Sequence, residues 1–243
     1  MIQGADIITI FPGFFAAAEF GVLGQAIKDG RYLFKAHDLR DYTTDRHRST
    51  DDTPYGGGAG MVMLAEPILR ALEAIDPGHA AHRILLSPRG RPLTQALARE
   101  LAALPRLVML CGRYEGVDAR VMPHLDREIS LGDFVLSGGE PAALCLVDAV
   151  ARLIPGILGN ADSIADESFS HGLLEYPQYT KPREISGQKV PEVLFSGDHG
   201  AIARWRRGQA LLITKARRPD LWAKTSLTEA DEQLLERAED GAP

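Results

Sequence analysis

Cysteine is nearly absent. The chain has two, Cys111 and Cys145, both inside apolar runs. Two cannot build a disulfide scaffold or a four-cysteine zinc site, and so low a count fits a reducing compartment, so a cytoplasmic protein is expected. Positive charge is short as well: 27 Lys and Arg stand against 33 Asp and Glu, a net charge of −6. A chain basic over its whole surface is excluded, and any contact with a polyanion has to be a local patch. No run approaches ~18 uninterrupted apolar residues, so no membrane span is expected. The stretch that imitates a secretory leader, IITIFPGFFAAA at 7–18, has no Lys or Arg ahead of Lys28 and carries Asp6 where positive charge belongs. It reads instead as a buried strand, a Pro12-Gly13 turn and a helix start.

Several chemical signatures are missing too. G-x-x-x-x-G-K-[ST] does not occur, nor does G-x-G-x-x-G between a strand and a helix, nor HExxH. A mononucleotide kinase, a Rossmann dehydrogenase and a zinc peptidase are therefore disfavoured. The seven histidines are scattered between His37 and His199, and none stands out as a metal ligand.

What is present is a soluble globular balance, 45% apolar and 25% charged, over 243 residues. Apolar strand-like runs recur at 6–11, 83–87, 107–111 and 129–136. Helix-like segments lie between and after them at 14–28, 65–75, 92–104 and 140–154, the last with Leu144, Val147, Val150 and Ile154 on one face. Strands alternating with helices argue for an α/β fold with a mostly parallel sheet. The composition changes at 159–172, GNADSIADESFSHG, which reads as a polar linker. Beyond it, Pro177, Pro182 and Pro191 punctuate an extended region, and helical patterns follow at 199–215 and 227–240. The expected organisation is a domain at 1–159, a linker at 160–173 and a small helical domain at 174–243.

Glycine clusters carry most of the functional signal. YGGGAG (55–60) reads as a tight turn or a ligand loop. CGRYEG (111–116), LGDFVLSGG (131–139) and LLSPRG (85–90) each follow a strand, and ligands of parallel sheets bind outside the carboxyl ends of strands. These loops contain no lysine and are flanked by Leu86, Val135 and Leu136, which suits a neutral, flat, hydrogen-bonding ligand such as an adenosyl group better than a triphosphate. GGE at 138–140 reads as a helix start, with Glu140 facing the helix dipole. Arg152, four residues after Asp148, is by default an i,i+4 ion pair. The loop 40–48 holds Arg40, Arg46, His47 and Arg48. The segment RWRRGQALLITKARR (204–218) carries six basic residues, no acidic one, and Trp205. It suits phosphate contact or, equally, a solvated face balanced by the acidic tail 229–240.

Taken together, RHRSTDDTPYGGGAGM (46–61), LLSPRGRPL (85–93), CGRYEGVDAR (111–120), GDFVLSGGE (132–140), RLIPGILG (152–159), SFSHGLLEYPQYTKP (168–182) and VLFSGDH (193–199) resemble the bacterial tRNA (guanine-N1)-methyltransferases of the SPOUT, trefoil-knotted class. The resemblance runs nearly end to end. It implies a deep trefoil knot at the carboxyl end of the sheet and a bent S-adenosyl-L-methionine held by the knot loops. It also implies a homodimer with shared active sites, a helical domain that grips tRNA, and a Mg²⁺ requirement whose site it does not locate. The methyl group would go to N1 of the guanosine at position 37, immediately 3′ of the anticodon. By position, the cofactor loops would be Leu86-Ser87-Pro88, Gly112-Arg113-Tyr114-Glu115-Gly116 and Ser130-Leu131-Gly132-Asp133-Phe134-Val135-Leu136-Ser137-Gly138-Gly139. Substrate contacts would fall to Arg46, Arg48, Asp51, Arg206 and Arg207, and no residue is assigned to a metal. Arg152 matches the family's helix arginine. Where the family has an aspartate before the linker Ser-Phe, this chain has Glu167, with Asp166 one residue earlier; Glu167 is the expected general base, with Asp166 in that role if the register shifts by one. Guanine N1 is a nucleophile only once its proton leaves, so the base needs help from a cation near O6, which would be Arg152.

Overall fold

The computed structural model describes residues 3–158 and 167–239. It forms two compact units, Met1–Gly159 and Asn160–Pro243.

The first unit is built on β1 (Gly4–Thr9), β2 (Leu33–Asp38), β5 (His82–Pro92), β6 (Arg106–Cys111) and β7 (Arg127–Ser130), joined in the order β2-β1-β6-β5-β7. Every pairing in this sheet is parallel. Helices α1 (Gly21–Lys28), α2 (Ala65–Ile75), α3 (Gln95–Ala102) and α4 (Glu140–Ala151) complete the α/β layering, and a two-stranded ribbon, β3 (Asp51–Asp52) with β4 (Val62–Met63), lies beside it. The period of two along each strand feeds two separate cores. Leu107, Met109 and Cys111 of β6 enter one core with α3 and α4, while Val108 and Leu110 enter the other with α2. Strands buried on both faces are continuously apolar, which is why β6 was legible as a run rather than an alternation. Cys111 is buried there, and burial pushes its thiol pKa up; Cys145 is exposed on α4.

Several expected elements differ. The edge strand β2 was not expected: its apolar residues Leu33, Phe34 and Ala36 are interrupted by Lys35, His37 and Asp38, and Leu33 is 58% exposed, so no apolar run marks it. The expected helix 14–28 is a 3₁₀ segment, Pro12–Glu19, and then α1, because Phe20 is extended and Gly21 sits at φ +65°. Residues 85–90 do not end a strand. β5 runs on to Pro92 with a register shift, Leu86 and Arg91 both facing Ile129, so that Ser87–Gly90 bulge outward. Pro92 therefore closes β5, and Thr94 caps α3 through its Oγ1, which accepts from Leu97 N–H at 3.2 Å. The apolar run 129–136 is a strand only to Ser130. On α4 the buried face is Ala142, Ala143, Leu146, Val147 and Val150; Leu144 is only half-buried, and Ile154 is buried beyond the helix end.

The second unit has a hairpin of β8 (Glu184–Ile185) and β9 (Gln188–Lys189), then α5 (His199–Arg217), α6 (Pro219–Trp222) and α7 (Glu229–Glu239). Leu173, Ala210, Leu211 and Leu235 form its core. Gly208 lets α5 and α7 approach closely: a Cβ there would lie 2.9 Å from the Leu234 carbonyl oxygen. The same two helices are tied by charge. Arg207 donates to Asp231 through Nε at 2.8 Å and through its second nitrogen at 3.1 Å, and Lys215 pairs with Glu239 at 2.7 Å. The acidic helix thus does balance part of the basic segment. Asp231 also accepts from the Thr228 amide and hydroxyl, while Thr228 Oγ1 accepts from the Asp231 amide, a reciprocal cap at the start of α7.

The Arg207 hydrogen bonds, with those from Thr228, hold the Asp231 carboxyl down to about 2. An unfolded aspartate titrates near ~3.9. The native carboxyl is the lowered one, so its stabilisation is complete above about pH 4 and is lost as pH falls toward 2, a loss of about 2 kcal/mol. Both tryptophans, Trp205 and Trp222, belong to this unit, so urea unfolding followed by tryptophan fluorescence reads it selectively. The urea midpoint should drop between pH 4 and pH 2.5 in the native chain, and drop much less in Asp231→Asn, which starts lower.

Candidate active site

β6, β5 and β7 are neighbours in the sheet, so the segments leaving β6 and β7 converge with the outward bulge of β5. Between them lies a cavity of about 410 Å³, within the usual range for ligand sites. All of the expected cofactor residues line it except Asp133, which is exposed and outside the lining. Leu85 and Arg89, from the candidate loop LLSPRG, line it too, as do Val117, Ile129 and Ala142, which were not assigned to it in advance. Their adjacency to the glycine loops at the strand ends was the available signal.

The cavity wall is main chain brought unusually close. Gly139 N–H donates to the Gly112 carbonyl at 2.9 Å, and Arg113 and Gly138 form an antiparallel bridge. A Cβ on Gly139 would sit 2.8 Å from Cys111 Cα, and one on Gly90 would sit 2.3 Å from the Ile129 amide nitrogen. Glycine at 90 and 139 is thus a packing requirement. The opposite lip is apolar and solvent-facing: Phe134 is 54% and Val135 86% exposed. Ser130 Oγ accepts from Gly132 N–H at 3.1 Å and holds the turn out of β7.

One side-chain network underlies the wall. Glu140, the first residue of α4, is wholly buried. Its Oε1 accepts from Thr9 Oγ1 at 2.7 Å, and its carboxylate accepts from Arg113 Nε at 3.1 and 3.2 Å. The Arg113 guanidinium lies over the Phe11 ring, 4.3 Å from its centroid. The helix-start reading of Glu140 was correct but incomplete, since its partners lie 131 and 27 residues away.

YGGGAG connects to the same wall: Gly60 approaches the Glu115 side chain, and the Glu115 amide donates to the Met61 carbonyl at 3.0 Å. Gly56, Gly57, Gly58 and Gly60 all have positive φ, which is what the turn reading required. Tyr114, also at positive φ, lines the cavity; burial and the hydrogen-bonded Asp51 carboxylate raise its phenol pKa. Asp51 is thereby tied to the cavity rim. Arg46 and Arg48 are exposed, with Arg48 paired to Asp41.

Arg152 follows α4 directly; it is half-buried, and its amide donates to the Asp148 carbonyl at 3.3 Å. Glu167 belongs to the second unit. It is half-buried and lines a cavity of about 400 Å³ there with His171, Glu175, His199, Arg206 and Arg207. Asp166 lies outside the described residues. Among the described residues no three His, Cys, Asp or Glu side chains converge as a metal cage, and no helix is long and apolar enough to cross a membrane.

A family model described as tRNA (Guanine-1)-methyltransferase TrmD matches residues 4–224. The chain belongs to this family. Relatives named tRNA (guanine-N(1)-)-methyltransferase agree along almost the whole length. That of Myxococcus xanthus (strain DK1622) is 55% identical over 238 residues, 97% of this chain and 96% of the relative. That of Anaeromyxobacter sp. (strain K) is 55% identical over 242 residues, 97% of each. That of Synechococcus sp. (strain JA-3-3Ab) is 53% identical over 232 residues, 95% of this chain and 92% of the relative. The resemblance read from the motifs and the tRNA (guanine-1)-methyltransferase match thus coincide, and the expected cofactor loops lie around one cavity.

Proposed function

We propose that the protein transfers a methyl group from S-adenosyl-L-methionine to N1 of the tRNA guanosine immediately 3′ of the anticodon. The observation that carries this reading is the 410 Å³ cavity in a chain of this family. Its walls fit an adenosyl group: main-chain donors and acceptors, apolar side chains and glycines approached too closely for a Cβ. When bound, the cofactor supplies a methyl group whose bond to a sulfonium breaks as the bond to N1 forms, leaving a neutral thioether. The chain's own part is to orient and to move one proton. Glu167 takes the N1 proton, and Arg152 faces the charge that grows on O6 as that proton leaves. Among the described residues no three carboxylate, His or Cys side chains converge to hold Mg²⁺, so no residue is assigned to that ion.

A trefoil knot fits the tight passage of Gly138–Gly139 against Cys111–Gly112 and of Gly90 against Glu128–Ile129. A homodimer fits the exposed apolar side chains that follow one another near the start of the first unit, Phe11, Phe14, Phe20 and Val22, as a surface for a partner to cover.

The experiment is nucleoside analysis of unmodified tRNA incubated with protein and labelled S-adenosyl-L-methionine. 1-Methylguanosine should appear next to the anticodon, and a transcript with adenosine at that position should take up no label. Label in the adenosine transcript would point to another target base.

A further inference from the structure

Beside the cavity that Glu167 lines, and sharing Tyr176, Ile202 and Arg206 with it, the second unit carries another of about 330 Å³, lined in part by the hairpin region and one side of α5. Its side chains are of two kinds. Tyr176, Tyr179, Phe195 and Trp205 supply aromatic faces; Lys181, Arg183 and Arg206 supply cations. No carboxylate belongs to the lining.

The aromatic groups are not spent on one another. Tyr179 and Trp205 have centroids 6.2 Å apart at an interplanar angle of 53°, so neither ring covers the other. Tyr179 is 47% exposed. Both arginines lie over ring faces: Arg183 is 4.2 Å from the Phe195 centroid and Arg206 4.8 Å from the Tyr176 centroid. Arg206 Nε is buried and has no hydrogen-bond partner. A guanidinium stacked on a ring keeps its edge donors free for an anion. A flat π-faced group and an anion on one short ligand describe a nucleotide, and only a base out of its duplex stack can reach a protein ring.

We propose that this cavity binds one unstacked nucleotide of the RNA substrate, its base against the Tyr179–Trp205 pair and its phosphate at Lys181 and Arg183. This rests on the reading that tRNA is the substrate, and it adds a holding point apart from the reacting guanosine. The cavity positions the RNA and does not touch the methyl group, so its loss should appear in KM for tRNA and not in kcat.

Two measurements test it. In Trp222→Phe, Trp205 is the only tryptophan. Titration with an unmodified tRNA transcript should quench its fluorescence saturably, as stacking against a base does. In steady-state methylation, Tyr179→Ala should raise KM for tRNA about tenfold with kcat within twofold and cofactor affinity unchanged. Tyr179→Phe, which keeps the ring, should restore the native KM. Arg183→Gln should lower the salt dependence of tRNA binding by about one phosphate contact. An unchanged KM in Tyr179→Ala, with native methylation intact, overturns this proposal alone. A raised KM in Arg183→Gln beside an unaffected Tyr179→Ala also overturns it, leaving a plain electrostatic patch. A native protein that neither binds nor methylates tRNA overturns the parent reading and this one together.

Discussion

Glu167→Gln should bind S-adenosyl-L-methionine normally and lose methyl transfer by about 10²- to 10⁴-fold in kcat, the usual worth of a positioned general base. The amide keeps the size and planarity of the carboxylate and removes only its capacity to take a proton. Guanine N1 is protonated in neutral water, so without a proton acceptor the attacking lone pair does not form. Cofactor binding should be untouched, because the cavity built from β5, β6 and β7 lies wholly in the first unit while Glu167 belongs to the second. Isothermal titration with S-adenosyl-L-methionine and single-turnover methylation separate the two effects. Near-native turnover would remove Glu167 from the role and transfer it to Asp166. Arg152→Ala should show the companion loss, about 10²- to 10³-fold in kcat, as removal of one charge-stabilising donor does. Arg152→Lys should recover only part of it, since an ammonium is a point charge without the planar fork of donors.

How much of this was legible in advance depended on the range of the interaction. α2 was expected at 65–75 and occurs at Ala65–Ile75, because its apolar spacing and the Asp76-Pro77-Gly78 stop are local. β6 was legible because a parallel strand buried on both faces is apolar throughout. The run 131–136 misled by the same rule. Phe134, Val135 and Leu136 are as apolar as a buried strand, yet they pair with no strand and face solvent. Composition reports that a side chain prefers burial; it does not report whether burial occurs in this chain or against a ligand or partner. β2 failed in the opposite direction, being an edge strand whose apolar residues are interrupted by Lys35, His37 and Asp38. Around the cavity, Gly56, Gly116 and Gly132 answer to a local turn with positive φ, whereas Gly90 and Gly139 answer to backbone brought close from elsewhere in the chain, a reason the sequence does not show. Balance of the basic segment by the acidic tail was one of two open alternatives, and the α5–α7 crossing realises it at Arg207–Asp231 and Lys215–Glu239. Glu140 shows the limit best. Its place at a helix start follows from Gly138-Gly139, but nothing in the spacing connects it to Thr9 and Arg113.

That buried carboxylate carries the second large expectation. Glu140→Ala should destabilise the first unit by about 3 kcal/mol, the low end of the cost of stranding one member of a buried ion pair. The low end applies because Arg113 is itself 21% exposed and can turn toward water. Thr9 Oγ1, at 2.7 Å from Glu140, loses its acceptor in the same stroke and adds to the cost. Cofactor affinity should fall as well, because Arg113 lines the cavity, donates to the Ser137 carbonyl at 3.3 Å and sits in the loop whose Gly112 accepts from Gly139. Denaturant unfolding and titration with S-adenosyl-L-methionine measure the two losses. A double-mutant cycle distinguishes the mechanism. If the cost is a guanidinium left without its anion, Arg113→Ala on top of Glu140→Ala should regain part of the stability while affinity stays low. If Glu140 matters only as a volume filling the start of α4, the two losses should add, and Glu140→Gln should behave like the native chain. Recovery of stability in the double variant together with a clear defect in Glu140→Gln would place the electrostatic tie between α4 and the loop after β6 at the foundation of the cofactor cavity.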